Sequence, residues 1–207
     1  MAEDRRRRRT KRLLKDALVQ LVLERGYDKV TVEDITEHAD ISRATFYKYH
    51  SDKQALLDQI VDDLQTELHT RTRPLALESH RGFTGKPVLE LFRHALEERD
   101  TYRMIVRGEG NGRALRTFTD SRVASAAEVF TDRAAHFGVS VRIDPEVLAR
   151  AWVGEQIGVL QWWLETDPPA MTPEEVTGML LDLSLRGRYW ANGFDGDPEE
   201  VRGPTES

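Results

Sequence analysis

Apolar residues recur at helical spacing along almost the whole chain, and this period constrains the fold more than any other feature. In the first such segment they form a single stripe: Leu13, Leu14, Ala17, Leu18, Leu21 and Val22. Steps of three and four residues place side chains on one face of an α-helix, whereas a half-buried strand alternates every second residue. No convincing strand alternation and no internal repeat occur, so the sequence predicts an all-α fold.

The composition limits the class of protein. The chain has 207 residues, 39% hydrophobic and 32% charged, which suffices for one large domain or two small ones with a real core. The absence of cysteine excludes a disulfide framework and thiolate metal sites. No apolar run approaches the roughly 20 residues that span a bilayer, and the N-terminus lacks the apolar stretch of a signal peptide. We therefore expect a cytoplasmic protein without metal, cofactor or membrane contact.

Charge is distributed unevenly. Residues 1–53 carry 13 Lys and Arg against 10 Asp and Glu, a net of +3, whereas the other 154 residues carry 17 against 26, a net of −9. A basic end on an acidic body indicates a polyanionic partner at that end, with a solvated basic tail as the alternative.

Capping signals divide the first 60 residues into helices. The first helix is expected from about Arg9 to Arg25. Thr31 is a good cap for a short second helix, with Asp34 at the capping-box position. After a tight turn at residues 40–41, Ser42 caps a second short helix that runs to about residue 50. A long helix follows.

The remainder is also predicted to be helical. Pro74, Gly82, Gly85 and Pro87 predict a linker over residues 71–87. Further helices are expected over about 88–106, either continuous or kinked, and over 113–137, 145–166 and 173–192. The polar tail over 195–207 is expected to be disordered.

Two short helices joined by a tight turn, after a longer helix, are typical of a helix-turn-helix DNA reader. The second short helix must bury one side, here Ile41 and Phe46. Its other positions offer hydrogen-bond donors: Arg43, Thr45, Tyr47, Lys48 and Tyr49. Any helical hairpin also has short capped helices, so the spacing alone leaves this interpretation open.

The residues themselves are more specific than the spacing. The segments 26–35 (GYDKVTVEDI), 39–49 (ADISRATFYKY) and 51–57 (SDKQALL) closely resemble the DNA-binding region of TetR-family regulators. The resemblance covers residues 10–57. It implies a three-helix helix-turn-helix domain over 10–55 and a helical-bundle domain for ligand binding and dimerisation over 56–194.

The same resemblance assigns roles to individual residues. It implies that Thr31 and the helix beginning at Ser42 touch double-stranded operator DNA. Base-edge contacts are implied for Arg43, Ala44 and Thr45. Phosphate contacts are implied for Tyr47, Tyr49 and Lys53. Lys48, on the same helix as Arg43, is a further candidate DNA contact. Two positions depart from the family pattern. Asp40 replaces the usual turn glycine, and His50 replaces a phenylalanine that packs into the small domain.

Residues 1–9 form a basic arm that contains Arg5–Arg9. The arm either is a solvated tail or lies along the minor groove of DNA, as basic arms do elsewhere.

The last two predicted helices, about 145–166 and 173–192, are apolar on more than one side. Gly154 and Gly158, four residues apart, permit close approach of another helix. The resemblance implies a homodimer through these helices as a four-helix bundle, and the stretch 162–164 (WWL) resembles one C-terminal subtype of the family. The alternative is that the aromatic residues only fill the core of the monomer.

Family members commonly bind a small molecule between the body helices and are thereby released from a palindromic operator. The resemblance thus implies a repressor with an unknown small-molecule effector. Candidate ligand contacts, chosen by residue type and position, are Phe92, His94, Met104, Phe118, Trp152 and Gln156. The alternative for each of them is ordinary core or surface.

Two other functions were compared with this one. His94, Glu97 and Glu98 hint at acid-base or metal chemistry in an α-helical enzyme, but no zinc-binding His pair, nucleophile elbow or phosphate loop accompanies them. We therefore expect no enzymatic activity. The other alternative is a DNA-binding regulator without a small-molecule pocket.

Overall fold

The computed structural model describes residues 2–78 and 85–191 of the chain. Over these ranges it consists of helices, with no strand, which confirms the all-α prediction. The α-helices are α1 (Ala2–Arg25), α2 (Val32–His38), α3 (Arg43–Tyr49), α4 (Lys53–Glu78), α5 (Lys86–Glu97), α6 (Arg99–Val106), α7 (Arg113–Phe137), α8 (Pro145–Glu165) and α9 (Pro173–Ala191). A short 3-10 helix, Tyr27–Lys29, lies between α1 and α2.

Capping interactions fix several of these boundaries as the sequence predicts. Thr31 and Asp34 form a complete capping box at α2. Asp144 accepts from two backbone N–H groups at the start of α8, and Thr172 and Glu175 bond each other's backbone N–H ahead of α9. Each cap satisfies N–H groups that have no partner within the helix, so the chain enters the helix at that residue.

The core is continuous from the N-terminal helices into the body. The predicted stripe of α1 is buried, and Ile35, Phe46 and Leu57 have no exposed surface. The same cluster of contacts extends along α4 through Leu68 to residues of α5, α6 and α8. A second cluster joins α7 to α8 around Phe130. The long helix α4 therefore belongs to both parts of the molecule.

Two predicted boundaries were wrong. The first helix begins at Ala2 and not near Arg9, so the five arginines form exposed early turns of α1. The predicted linker over 71–87 begins too early, because α4 continues to Glu78 with Pro74 inside it. The Thr72 side chain is buried, so other elements pack against this last part of α4, and its hydroxyl donates to the Leu68 carbonyl oxygen of the same helix. Residues 79–84 and the predicted tail over 195–207 lie outside the described residues.

The predicted helix over 88–106 is two helices. Glu98 adopts φ −106° and ψ 35°, which separates α5 from α6. Its carboxylate accepts hydrogen bonds from Lys15 Nζ at 2.5 Å and from the Thr101 hydroxyl at 3.1 Å. The kink therefore brings the start of α6 against α1.

Candidate nucleic-acid interface and ligand cavity

The first short helix is anchored by its capping box. Thr31 Oγ1 accepts from the Asp34 backbone N–H at 3.1 Å, and Asp34 Oδ2 accepts from the Thr31 backbone N–H at 2.8 Å. The Thr31 hydroxyl also donates to Asp34 Oδ2 at 2.6 Å, and this bond, followed by the one from the Thr31 backbone N–H, holds the pKa of the Asp34 carboxyl below its usual value. Thr31 is exposed, so this helix start lies at the surface that the resemblance assigns to DNA.

Asp40 forms the turn without glycine. Its φ is 51°, in the left-handed region that Asp tolerates better than most residues. The Asp40 and Ile41 backbone N–H groups donate to the Glu37 and Thr36 carbonyl oxygens at 3.2 and 2.9 Å. The departure from the family pattern therefore leaves the turn hydrogen-bonded.

The second short helix, α3, buries one side and exposes the other. Phe46 is fully buried, and Ser42 caps the helix by accepting from the Thr45 backbone N–H at 3.2 Å. Four side chains of the helix are exposed and two are partly buried at its edges: Arg43, Ala44, Tyr47 and Lys48, with Thr45 and Tyr49. The structure thus brings the sequence-predicted residues of α3 onto one outer surface.

An ion pair links the two short helices at this surface. The Arg43 guanidinium contacts the Glu33 carboxylate, and both side chains are more than half exposed. A surface ion pair contributes little stability, so this contact orients Arg43 more than it fastens α3. Sequence reasoning missed Glu33, whose acidic residue type gave no signal for a DNA-facing position.

Lys53 is engaged inside the protein. Its Nζ donates to the Tyr27 and Val30 carbonyl oxygens, both at 2.6 Å, and lies 4.0 Å from the centre of the Tyr27 ring. Burial lowers the pKa of the Lys53 ammonium. The side chain therefore ties the turn before α2 to the start of α4, and its phosphate contact stays a prediction.

His50 is buried, with 5% of its surface exposed, and its ring centre lies 5.7 Å from that of Phe46. Among the described residues, no group hydrogen-bonds its Nε2 atom. Burial, with a smaller effect from Lys11, lowers the pKa of His50. The imidazole thus fills the phenylalanine position as a neutral ring.

The body contains a cavity of about 830 Å³ between α4, α5, α7, α8 and α9. Of the six candidate ligand residues, Trp152 and Gln156 line it. The other four do not line this cavity: Phe92, His94, Met104 and Phe118 are each fully buried in the core. The rings of Phe92, His94 and Phe118 pack against neighbouring aromatic rings, and His94 Nδ1 lies 2.9 Å from the Tyr102 hydroxyl. A ligand contact by any of the four stays a prediction.

Residues 14–60 match the sequence model of bacterial regulatory proteins of the tetR family. The N-terminal region of the chain is therefore of the TetR type. An uncharacterised HTH-type transcriptional regulator of Bacillus subtilis, YvkB, is 29% identical over 48% of this chain and 50% of its own. The class D tetracycline repressor of Escherichia coli is 29% identical over 41% of this chain and 39% of its own. The matches thus span half or less of these relatives.

The fold likeness extends over nearly the whole chain. A crystal structure assigned to the TetR family, from Syntrophomonas wolfei, superposes with a TM-score of 0.71 at 19% identity, covering 92% of this chain and 98% of that one. At this identity the likeness concerns the fold alone. None of the helices in the described ranges has the length and apolar character needed to cross a membrane.

The loop between α6 and α7 also contacts the N-terminal region. Glu109, between α6 and α7, accepts from the Tyr27 backbone N–H at 2.9 Å, and the Arg113 guanidinium makes two 3.2 Å hydrogen bonds to the Asp58 carboxylate. A side chain at Gly110 would meet Leu57 at 3.1 Å and Tyr27 at 3.6 Å. The sequence signalled only a helix break here.

Sequence reasoning also missed Arg122, which lines the cavity on α7. Its Nη2 donates to Gln156 Oε1 at 3.2 Å. The available signal was periodicity: Arg122 stands four residues after Phe118 and four before Ala126, both of which face the core. A charged residue on an apolar helical stripe is a candidate for a binding site.

Proposed function

We propose that this TetR-family chain is a sequence-specific DNA-binding transcriptional regulator, and a repressor that a small molecule releases from a palindromic operator. The observation that carries the DNA-binding part is the outer surface of α3, where polar side chains stand on a helix whose other side is anchored by Phe46. Helices of this kind enter the major groove and contact base edges there.

Within that surface we assign the roles that the resemblance implies. Arg43, Ala44 and Thr45 contact base edges. Phosphate contacts come from Tyr47, Tyr49 and Lys53, and Thr31, Ser42 and Lys48 complete the contact surface. Since two N–H donors of Lys53 already serve carbonyl oxygens, it would reach phosphate through its remaining proton.

The arginines at positions 5–9 are proposed to add phosphate contacts from the exposed start of α1. Because these arginines continue α1, we propose that they lie near the duplex as part of a helix and not as an extended arm. Contacts of this type raise affinity and salt dependence more than specificity.

A homodimer through the last two helices is supported by an outward face of α8 and α9 that is apolar. On α8 this face carries Val147 and Trp162, which are 58% and 52% exposed, and on α9 it carries Met179 at 57%. Gly154 and Gly158 stand between Val147 and Trp162 on α8, and a Cβ at either glycine would meet no atom within 4 Å. Two copies joined in this way would place their reading helices about 34–36 Å apart, the spacing of successive major grooves.

Release by a small molecule is supported by the cavity and by the elements that line it. His69 and Thr72 of α4 line the cavity, and α4 begins next to the helix-turn-helix. Helix α7 lines it as well, and its first residue, Arg113, is bound to Asp58. A ligand that shifts α4 or α7 therefore moves the DNA-reading unit. The cavity favours this interpretation over a regulator without a pocket.

The test is selection of bound sequences from a random duplex library at near-physiological salt, with the full chain. We expect a palindrome. An Arg43→Ala variant should lose the preference at some positions of each half-site, whereas Arg142→Ala, an exposed arginine in the loop before α8, should recover the same palindrome. Absence of any enriched sequence, with a folded dimer and no bound ligand, would contradict the proposal.

A further inference from the structure

The cavity combines apolar walls with an unusual cation. Apolar side chains from four helices contribute to its lining: Val88, Ala126, Val129, Phe130, Phe137, Leu148, Trp152, Leu180 and Leu181. Into this surface α7 places the partly buried Arg122. Its volume, about 830 Å³, falls in the range of cavities that enclose small organic ligands.

Arg122 is hydrogen-bonded to a neutral group. Its Nη2 donates to Gln156 Oε1 at 3.2 Å, and Gln156 Nε2 in turn donates to the Trp152 carbonyl oxygen at 3.1 Å. No carboxylate in the described part of the chain lies within ion-pair distance of this guanidinium. Nearby Arg71 differs, because it contacts the carboxylates of Glu67, Glu90 and Glu97 at 2.6, 3.3 and 2.8 Å.

A guanidinium in such surroundings has lost hydration without gaining a counter-charge, which is costly for a cation. Burial lowers the pKa of Arg122, although an arginine side chain keeps its proton in proteins. A carboxylate that forms two parallel hydrogen bonds would restore the missing counter-charge.

The other charges of the lining stand elsewhere. Glu128 and Asp132 are exposed, and so are Arg73 and His136. Glu155 and Arg133 have interactions of their own. Among the described residues, Arg122 therefore stands out as the charged group of the lining that is partly buried and has only a neutral partner.

The shape of the cavity indicates a ligand with a head and a tail. Residues of α7 line it from Arg122 to Phe137, a span of roughly 22 Å at the helical rise per residue. Along this span the buried or partly buried residues of α7 include Ala126, Val129 and Phe130. The charge thus stands at one end of a long, largely apolar lining.

We propose that the effector of this protein is a long-chain monocarboxylate, with its carboxylate on Arg122 and Gln156 and its hydrocarbon chain along α7 toward Phe137. This inference rests on the proposed effector response and names the ligand class. The Gln156 amide can turn its Nε2 toward the carboxylate, so both side chains serve as donors.

The experiment measures binding to the full chain without DNA, by calorimetry below micellar concentration. The probes are saturated straight-chain carboxylic acids of six to eighteen carbons and the primary alcohol and primary amine of each length. We expect one acid per chain to bind, with affinity increasing over several carbons. The acid should bind roughly ten- to hundredfold more tightly than the alcohol of equal length.

Three variants locate the head group. Arg122→Gln should weaken acid binding and remove the preference for acid over alcohol. Arg122→Lys keeps the charge and should keep a reduced preference, which also guards against a folding defect in the first variant. Arg142→Gln, outside the cavity lining, should behave as the unmodified protein.

Several outcomes would overturn the assignment. These are equal binding of acids and alcohols, tighter binding of amines, or an acid preference that survives Arg122→Gln. Uptake of several acids per chain that is insensitive to Arg122 would indicate adsorption at the surface and would also overturn it. Because DNA is absent, these results stand apart from the palindrome selection. If the acids bind but the selection recovers no operator, the proposed function is contradicted and the ligand assignment is not.

Discussion

The helix-turn-helix over residues 31–53 and the body formed by α5 to α9 distribute polarity in opposite ways. In the first, apolar residues such as Ile35 and Phe46 are fully buried while the charged residues of α3 face outward. In the second, Arg122 lines an internal cavity while Val147, Trp162 and Met179 are more than half exposed. The first region thus buries its apolar residues and exposes its charged ones. The second has surfaces that the proposed ligand and a second copy of the chain would complete.

This difference indicates which region of the chain has the space to change its packing when a ligand binds. Phe46 packs against a filled core, so the reading helix is held rigidly. The body retains a cavity beside α4 and α7, and the hydrogen bonds between Arg113 and Asp58 join these two helices shortly after the helix-turn-helix. In the proposed response, a ligand would gain free energy by filling and neutralising the cavity, and the rigid unit would follow as a whole.

The largest expected effect concerns the exposed face of the body. Gly158→Glu places a charge where a Cβ meets no atom of its own chain, so the monomer should fold normally. A buried charge at the dimer interface should yield monomers and reduce operator affinity by roughly a hundredfold or more, because two linked readers are lost. Analytical ultracentrifugation and a binding titration measure this. Ala124→Glu, on the exposed side of α7, is the control, and a stable dimer of Gly158→Glu would place the interface elsewhere.

The next effect concerns the contribution of Lys53 to the stability of the helix-turn-helix. Lys53→Ala leaves the Tyr27 and Val30 carbonyl oxygens without their 2.6 Å donor. We expect a loss of about 1–3 kcal/mol in the free energy of unfolding, measured with urea. Lys48→Ala, an exposed lysine of α3, should leave stability unchanged and lower the salt dependence of DNA binding. Equal free energies of unfolding for both variants would show that Lys53 does not stabilise the helix-turn-helix.

Arg43→Ala addresses the outer polar surface. Loss of a bidentate contact to a base should cost about 1–3 kcal/mol at the matched position and relax base preference there. Glu33→Ala frees Arg43 from its ion pair and should strengthen binding to all sequences, since a carboxylate near phosphates is removed. Competition binding with single-base variants of the operator measures both. A uniform loss across all bases for Arg43→Ala would make it a phosphate contact.

Deletion of residues 2–9 removes the basic start of α1. We expect roughly tenfold weaker operator binding at low salt and a smaller difference at physiological salt, because released counterions drive such contacts. The slope of log affinity against log salt measures the effect. An unchanged slope would mean that these arginines are only a solvated extension.

The smallest effect is electrostatic and lies at the cap of α2. The pKa of Asp34 is lowered in the folded state by Thr31, so its ionised form stabilises the fold above the unfolded pKa of about 3.8. This contribution is lost as pH falls through the lower, folded pKa. Thermal unfolding of Asp34→Asn and the unmodified protein should therefore differ at pH 7 and converge in acid. A Thr31→Ala background removes the hydroxyl donor but keeps the backbone N–H donor of residue 31, so the difference should shrink there without disappearing, and an undiminished difference would assign the effect to another partner.

Much of the helix-turn-helix follows from local chemistry. Thr31, Asp34 and Ser42 are predicted as caps and act as caps, since a cap needs only residues three positions away. The left-handed conformation of Asp40 is also a local property. The residues of α3 that face outward follow from the helical period and from Phe46. What these outward residues bind remains a prediction.

The cavity did not follow from the sequence in the same way. Phe92 and Trp152 are both aromatic residues on body helices, yet Phe92 packs against Trp163 and Trp152 lines the cavity. Residue type and approximate position cannot separate these cases, because the difference depends on how five helices are arranged in space. The neighbouring Trp162 and Trp163 make the same point, with the first 52% exposed and the second 1%.

The sequence by itself determined the all-α class, the capped helix starts and the family of the N-terminal region, because each depends on contacts between residues close together in the chain. Tertiary structure alone decided that α4 continues past Pro74 and that Arg122 reaches the cavity beside Gln156. It also decided the Glu109 contact with Tyr27. These depend on packing between segments tens of residues apart, where the balance of burial and hydrogen bonding overrides local preference.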